Sequence, residues 1–282
     1  MKTVRDRKQG AATIAARGLA YHLSRLSVAA VFVVPLILVL SASLRRTGLP
    51  PPRTLEWVPD PIAWSNYLSV FKIVPLATYI GNSLLVVAIA VPLTIITASW
   101  AGLAMALSSK TTRDRLVLLA VMLLMVPITA LWLTRFLIFK HLGLIDTIWA
   151  LVAPAFMGSS PLFVLLYYWT FRRLPTELIE AARLDGANLL QIWARIAMPL
   201  AWPTTVAVTV LSFTLYWSDF ISPLLYLKSE KLYTLPVGLQ MLQQMDATNW
   251  PLLMAGAVIM TMPVLLLFFL IQRYFWPEFH RL

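Results

Sequence analysis

Five charged side chains, Glu177, Glu180, Arg183, Asp185 and Arg195, fall within PTELIEAARLDGANLLQIWARIAMPLAWP, Pro175 to Pro203, in a chain that is otherwise largely apolar. Acids and bases this close together can move protons, hold a metal or dock another protein. The first two uses find little support. The three histidines, His22, His141 and His280, lie at the ends or flanks of apolar blocks, and none forms an HExxH pair. No GxSxG elbow and no Gly-Lys dipeptide of a phosphate-binding P-loop occurs. Cysteine is absent, which removes thiolate chemistry and disulfides. No catalytic residue, metal site or cofactor is therefore expected, and the chain is not read as an enzyme.

The segment has the local grammar of two short helices. Pro175 suits a first turn, Thr176 offers a hydroxyl there, and Glu177 and Glu180 sit where the helix dipole favours acids. Gly186 is a stop signal, because glycine takes the left-handed conformation at little cost. Asn188 with Gln191 has capping-box spacing, and the second helix must end before Pro199. Ala181 and Ala182 leave a bald patch on the first helix. Leu189, Ile192, Trp193 and Ile196 share one face of the second. On these residues alone, an interfacial loop and a partner-docking element are both open.

The surrounding elements decide where this segment sits. The chain is 60% hydrophobic and 12% charged, against about 25% charged in a soluble domain. Its mean hydropathy is +0.78. Six apolar blocks, 26–44, 79–107, 116–139, 148–171, 203–227 and 251–271, are each long enough to cross a hydrocarbon core of about 30 Å as helix. Prolines 35, 92, 127, 154 and 263 fall inside them and are expected as kinks. The fold class is therefore an all-α integral membrane protein of six transmembrane helices. It is divided into a basic N-terminal tail over 1–25, a six-helix domain over 26–272 and a short tail over 273–282. The first block is too long for a cleaved signal peptide and is read as a retained span.

The net charge of +11 does not point to nucleic acid, because the basic residues alternate between the two sides of the predicted membrane. Fifteen lie in the N-terminal tail, the loop of Lys110, Arg113 and Arg115, the charged segment and the C-terminal tail; eight lie on the other side. The positive-inside rule then places both termini and the charged segment in the cytoplasm, with 50–72 and 228–249 outside.

The charged segment resembles the cytoplasmic EAA loop of permease subunits in binding-protein-dependent ABC importers. That pattern is Glu-Ala-Ala, three residues, Gly, nine residues, Ile, one residue, Leu-Pro. Here it reads Glu180-Ala181-Ala182, Gly186, Ile196 and Met198-Pro199, with methionine in place of leucine, and the extended Asp185-Gly186-Ala187 is present. WSNY at 64–67, GNSLLVV at 81–87, LGLIDTIWALVAP at 142–154, YWSDFISPLLYL at 216–227 and YTLPVGL at 233–239 are similar to the carbohydrate, maltose-type branch. The ending QRYFWPEFHRL departs from that branch's glycine-rich ending.

The resemblance implies a type I importer permease in a bacterial or archaeal cytoplasmic membrane. The implied partners are a second permease subunit, two ATP-binding cassette subunits and an extracytoplasmic substrate-binding protein. It implies a sugar or related solute; a polyamine or amino acid importer and a stand-alone secondary transporter are the alternatives. Glu180, Ala181, Ala182, Asp185, Gly186, Ala187, Ile196 and Pro199 are then the expected ATPase-coupling residues.

The candidate pathway or gate residues are Asn82, Arg135, Tyr216, Trp217 and Asp219. Most tryptophans sit near block ends, where an aromatic belt is expected, and Tyr216 and Trp217 are the candidates for sugar stacking. Arg135 and Asp219 are the two ionisable residues at depth, about 28 Å and about 22 Å from the inner surface at 1.5 Å per residue. Two arrangements are open. They pair inside the bundle, or Arg135 reaches the outer headgroups while Asp219 faces water or substrate.

Overall fold

The computed structural model describes the backbone of residues 4–54 and 56–275 and the side chains of 21–54 and 56–272. The expectations for the side chains of Lys2, Arg5, Arg7, Lys8, Arg17, Arg273, His280 and Arg281 lie outside the described residues, as does the end of the C-terminal tail. Every regular element among the described residues is helical. Of the expected blocks, the first, second and sixth are continuous helices: α1 (Val4–Ser43), α3 (Leu76–Leu107) and α14 (Trp250–Phe275). Pro35, Pro92 and Pro263 are carried inside them. The backbone of α1 is helical without a break from Val4 to Ser43, and its apolar, span-length part is Tyr21–Ser43.

The other three blocks are interrupted, and the kink expected at Pro127 is a sharp bend. The third begins early as α4 (Lys110–Met125), capped by the Ser109 hydroxyl. It then turns through 90° at 126–127 into a 3-10 turn, Ile128–Leu131, and α5 (Trp132–His141). The cause is Pro127, which lacks an N–H and drives Val126 into an extended conformation (φ −75°, ψ 118°). The fourth block starts as α6 (Trp149–Val152) and a 3-10 turn, Ala153–Met157. It breaks where Gly158 (φ 73°) and Ser159 (φ 59°) are left-handed, and resumes as α7 (Pro161–Arg172) with Pro161 at its start. The charged segment folds as α8 (Thr176–Leu184), α9 (Leu189–Ile192), a π-helical turn, Trp193–Ala197, and α10 (Met198–Leu200). An 85° bend leads into the fifth span, α11 (Trp202–Trp217). That span stops at 218–220 and continues as α12 (Ile221–Tyr226). The remaining helices are α2 (Ser65–Ile73) and α13 (Leu235–Met245).

The chain forms two compact units. The first comprises Met1–Ile73 and Leu242–Ile259. In it, the buried Asn66 amide donates to the Ser43 and Arg45 carbonyls, each at 2.7 Å, satisfying orphan carbonyls at the end of α1. The Asn249 side chain accepts from the Gly48 N–H at 2.9 Å, and Arg45 pairs with Glu56 at 2.8 Å. The second unit comprises Val74–Met241 and Met260–Leu282. Its core joins Ala98 and Leu103 of α3, Phe163, Tyr167 and Phe171 of α7, Ala197 of the π turn, and Ala201 and Val208 at and within α11. Gly102 lets α3 and α7 approach closely: a Cβ there would lie 2.7 Å from Tyr167 Cβ and 2.8 Å from the Tyr168 backbone nitrogen. Across α7 and α11, Tyr167 donates to the Thr205 hydroxyl at 3.1 Å, and the Thr170 and Thr204 hydroxyls meet at 2.7 Å.

Candidate functional site

The charged segment is a rigid angle built from two matched caps. Gly186 sits at φ 80°, its N–H donates to the Arg183 carbonyl at 3.0 Å, and the Ala187 N–H donates to the Ala182 carbonyl at 2.9 Å. These two bonds make a Schellman stop for α8, and only glycine takes that backbone cheaply. Two residues on, the Asn188 carboxamide accepts from the Gln191 N–H while Gln191 accepts from the Asn188 N–H, each at 2.9 Å, a complete capping box. Thr176 does not cap α8: the capping position is Pro175 and no side chain serves it.

One side of this angle is seated and the other is open. Ile179 and Ile192 are buried. Trp193 donates its indole N–H to the buried Ser99 hydroxyl of α3 at 3.0 Å and meets Trp100 edge-on at 5.6 Å. Ile192, Trp193 and Ile196 thus turn toward the helical core, while Leu189 stays exposed. The open side carries Glu180, Ala181, Arg183, Asp185, Gly186 and Pro199, with Ala182 and Ala187 half-buried. Among them stand Leu184, 89% exposed, and Leu189 and Leu190, 59% and 58% exposed. Leucines this bare at a turn have the chemistry of a docking surface. The π turn precedes Pro199, whose missing N–H cannot close an α-type bond; the Met198 N–H instead reaches back to the Trp193 carbonyl.

The three interrupted spans share a second feature. Ile128 and Trp132 beside the break in the third, Ser159 at the break in the fourth and Ser218, Asp219 and Phe220 at the break in the fifth all line one cavity of about 350 Å³. Arg135 and Tyr216 complete its polar lining with Ser222. Broken helices at membrane depth expose backbone groups that only a cavity or a ligand can serve. A hydroxyl chain braces the walls: Thr94 of α3 bonds Ser159, whose hydroxyl meets Tyr216 at 2.7 Å.

Arg135 and Asp219 face the same cavity but do not pair, since no nitrogen of one lies within 4.0 Å of an oxygen of the other. Asp219 instead accepts from the Ser222 N–H at 3.0 Å and caps the turn into α12. Two of the expected pathway residues stand elsewhere. Trp217 is 1% exposed and donates its indole N–H to the Met260 carbonyl at 2.9 Å, which makes it a core residue. Asn82 donates to the Lys231 and Tyr233 carbonyls at 2.8 and 2.9 Å and ties the loop before α13 to α3.

That loop is held at a second point that the sequence reading did not single out. Asp146, left-handed at φ 62°, accepts from the Lys228 and Ser229 N–H groups, each at 2.8 Å, and from the Ser229 hydroxyl at 2.5 Å. Those bonds, the hydroxyl first, hold the Asp146 carboxyl below its ordinary range. The pairing joins residues 82 positions apart in sequence, so local signals do not reveal it. Ser159 was more readable: Gly-Ser-Ser-Pro at 158–161 is a turn signal inside an apolar block.

A family model described as the binding-protein-dependent transport system inner membrane component matches residues 95–281. The arabinooligosaccharides transport system permease protein of Halalkalibacterium halodurans is 32% identical over 255 residues, 88% of this chain and 89% of that protein. The sulfoquinovosyl glycerol transport system permease protein of Agrobacterium fabrum is 28% identical over 85% of this chain and 84% of its own. Among solved structures, a bacterial ABC transporter involved in import of the acidic polysaccharide alginate superposes with a TM-score of 0.72 at 21% identity, covering 98% of this chain and 99% of that one. This last likeness bears on the fold.

Proposed function

The chain belongs to the family of binding-protein-dependent transport system inner membrane components, and on that premise we propose that it forms half of the translocation pathway of an ATP-driven sugar importer. It is a multi-pass membrane protein and a transport subunit of the type I importer fold. The sugar assignment is supported by relatives named for arabinooligosaccharide, sulfoquinovosyl glycerol and lactose transport. The solute reaches the cavity at the three helix breaks from an extracytoplasmic binding protein, and a second permease supplies the facing half. ATP hydrolysis belongs to two separate cassette subunits, since this sequence has no P-loop lysine pattern. Both termini and the charged segment are cytoplasmic.

The observation that carries the reading is the angle at Gly186, capped on both sides, seated on α3 through Trp193 and bare on its other side. A rigid lever of this kind passes movement of a docked partner into α3 and, through the bend at Ala201, into α11. Glu180, Ala181, Ala182, Asp185, Gly186 and Ala187 form the docking surface; Ile196 and Pro199 shape the return into the membrane. The test is co-purification. Tagged wild-type chain expressed with its genomic neighbours should retain a cassette ATPase in detergent, and Glu180→Lys should release it while remaining in the membrane. Retention of the ATPase by neither protein, or equally by both, would remove the docking assignment.

A further inference from the structure

Arg135 carries an argument beyond the pathway reading, on which it rests. Among the described residues, the ion pairs are Arg45 with Glu56 and Arg113 with Asp114, both in loops or at helix ends. Arg135 lies in α5, beyond the 90° bend at 126–127, lines the cavity and has no carboxylate within 4.0 Å. It shares the cavity lining with the uncharged hydroxyl of Tyr216 and with serine hydroxyls. A cation that faces a cavity within a membrane-spanning bundle is normally matched by a counter-charge or a functional ligand. The nearest candidate in the cavity wall, Asp219, is committed on one oxygen to the Ser222 N–H. The cavity therefore holds a guanidinium and a carboxylate that do not pair, with hydroxyls and rings in the same lining.

We propose that this cavity is a subsite for an acidic saccharide, with Arg135 reading the sugar's carboxylate or sulfonate. The guanidinium presents a planar fork that matches such a group through two parallel N–H bonds. Trp132 lies one helical turn before Arg135 and lines the same cavity, where its ring offers a stacking face for the sugar. The second oxygen of Asp219 and the Ser222 hydroxyl serve the ring hydroxyls. A cavity of about 350 Å³ is at the low end of small-ligand sites, of the order of 300–1,000 Å³, and takes a ring or two at a time rather than a long chain.

The experiment is binding to the assembled, detergent-solubilised complex, read by tryptophan fluorescence and by titration calorimetry. The probes are trigalacturonate and the neutral galactotriose, each at low and high salt. Wild type should bind the acidic probe about tenfold more tightly, a preference that charge-assisted bonds can supply. Arg135→Gln should bring the ratio of the two affinities to about one, and Arg135→Lys should keep part of the preference, with thermal unfolding checked for each. If galactotriose binds and wild type shows no preference, or if Arg135→Gln lowers both affinities equally, the acidic-sugar assignment is wrong and the pathway reading stands. If neither probe binds, and a Ser159→Trp variant that fills the cavity still transports normally with the native binding protein, both fail.

Discussion

Alanine at Gly102 should destabilise the protein although alanine is the better helix former. The added Cβ would lie 2.7 Å from Tyr167 Cβ, 2.8 Å from the Tyr168 nitrogen and 3.0 Å from the Val164 carbonyl oxygen. Two of the three are backbone atoms of α7, and Tyr167 is fully buried, so no rotamer change relieves the contact. Overpacking of this kind costs about 1–3 kcal/mol, against a gain of about 0.5–1 kcal/mol for replacing glycine inside a helix. The net loss is about 0–2.5 kcal/mol, and the hard backbone contacts put it toward the upper end, at about 2–4 °C of melting temperature per kcal/mol for a domain of this size. Gly81 supplies the control on the same helix, because a Cβ there meets nothing within 4 Å. Melting followed by size-exclusion of the detergent-solubilised chain should show Gly102→Ala below wild type and Gly81→Ala at or above it. A Gly102→Ala protein as stable as Gly81→Ala would refute the close approach of α3 and α7.

Gly186→Val should leave the subunit in the membrane and assembled but disconnect ATP hydrolysis from uptake, because valine resists φ 80° and opens the Schellman turn; assembly with full uptake would count against the rigid lever. Trp193→Phe removes the bond to Ser99 and should weaken coupling less, by a factor of a few, seen as more ATP consumed per sugar moved. For Asp146, the folded carboxyl titrates below its unfolded value, so its hold on the loop is present at neutral pH and is lost as pH falls through the lowered folded value. Hydrogen exchange should find the Lys228 and Ser229 amides protected at neutral pH in wild type and unprotected in Asp146→Ala, and equal protection in both would contradict this anchoring.

The membrane class, the positions of the helical blocks and the caps at Gly186 and Asn188 were legible because each is written in contiguous residues. Apolar run length reports a span, and Gly186 and the Asn188–Gln191 pair report their own backbone geometry. Hydropathy could not show how sharply the third, fourth and fifth blocks break, because 126–127, 158–160 and 218–220 are too short to end an apolar run, and Pro127 and Pro154 signalled only kinks. Nor could one-dimensional depth separate cavity from core. Trp217 and Tyr216 are neighbours in sequence, yet one is fixed to Met260 and the other faces the cavity. The same limit applied to Arg135 and Asp219, whose similar depth allowed an ion pair that the bend of the third block and the cap at Ser222 do not provide.

The central claim is that this chain conducts a sugar when a partner ATPase acts on the angle at Gly186. Its most direct test is uptake of radiolabelled arabinotriose and trigalacturonate into proteoliposomes holding the complete complex, with binding protein outside and ATP enclosed. The account predicts accumulation of at least one of these sugars that requires both ATP and the binding protein, and that is abolished by Gly186→Val while ATP hydrolysis continues. Uptake that proceeds without ATP, or that persists unchanged in Gly186→Val, would contradict it.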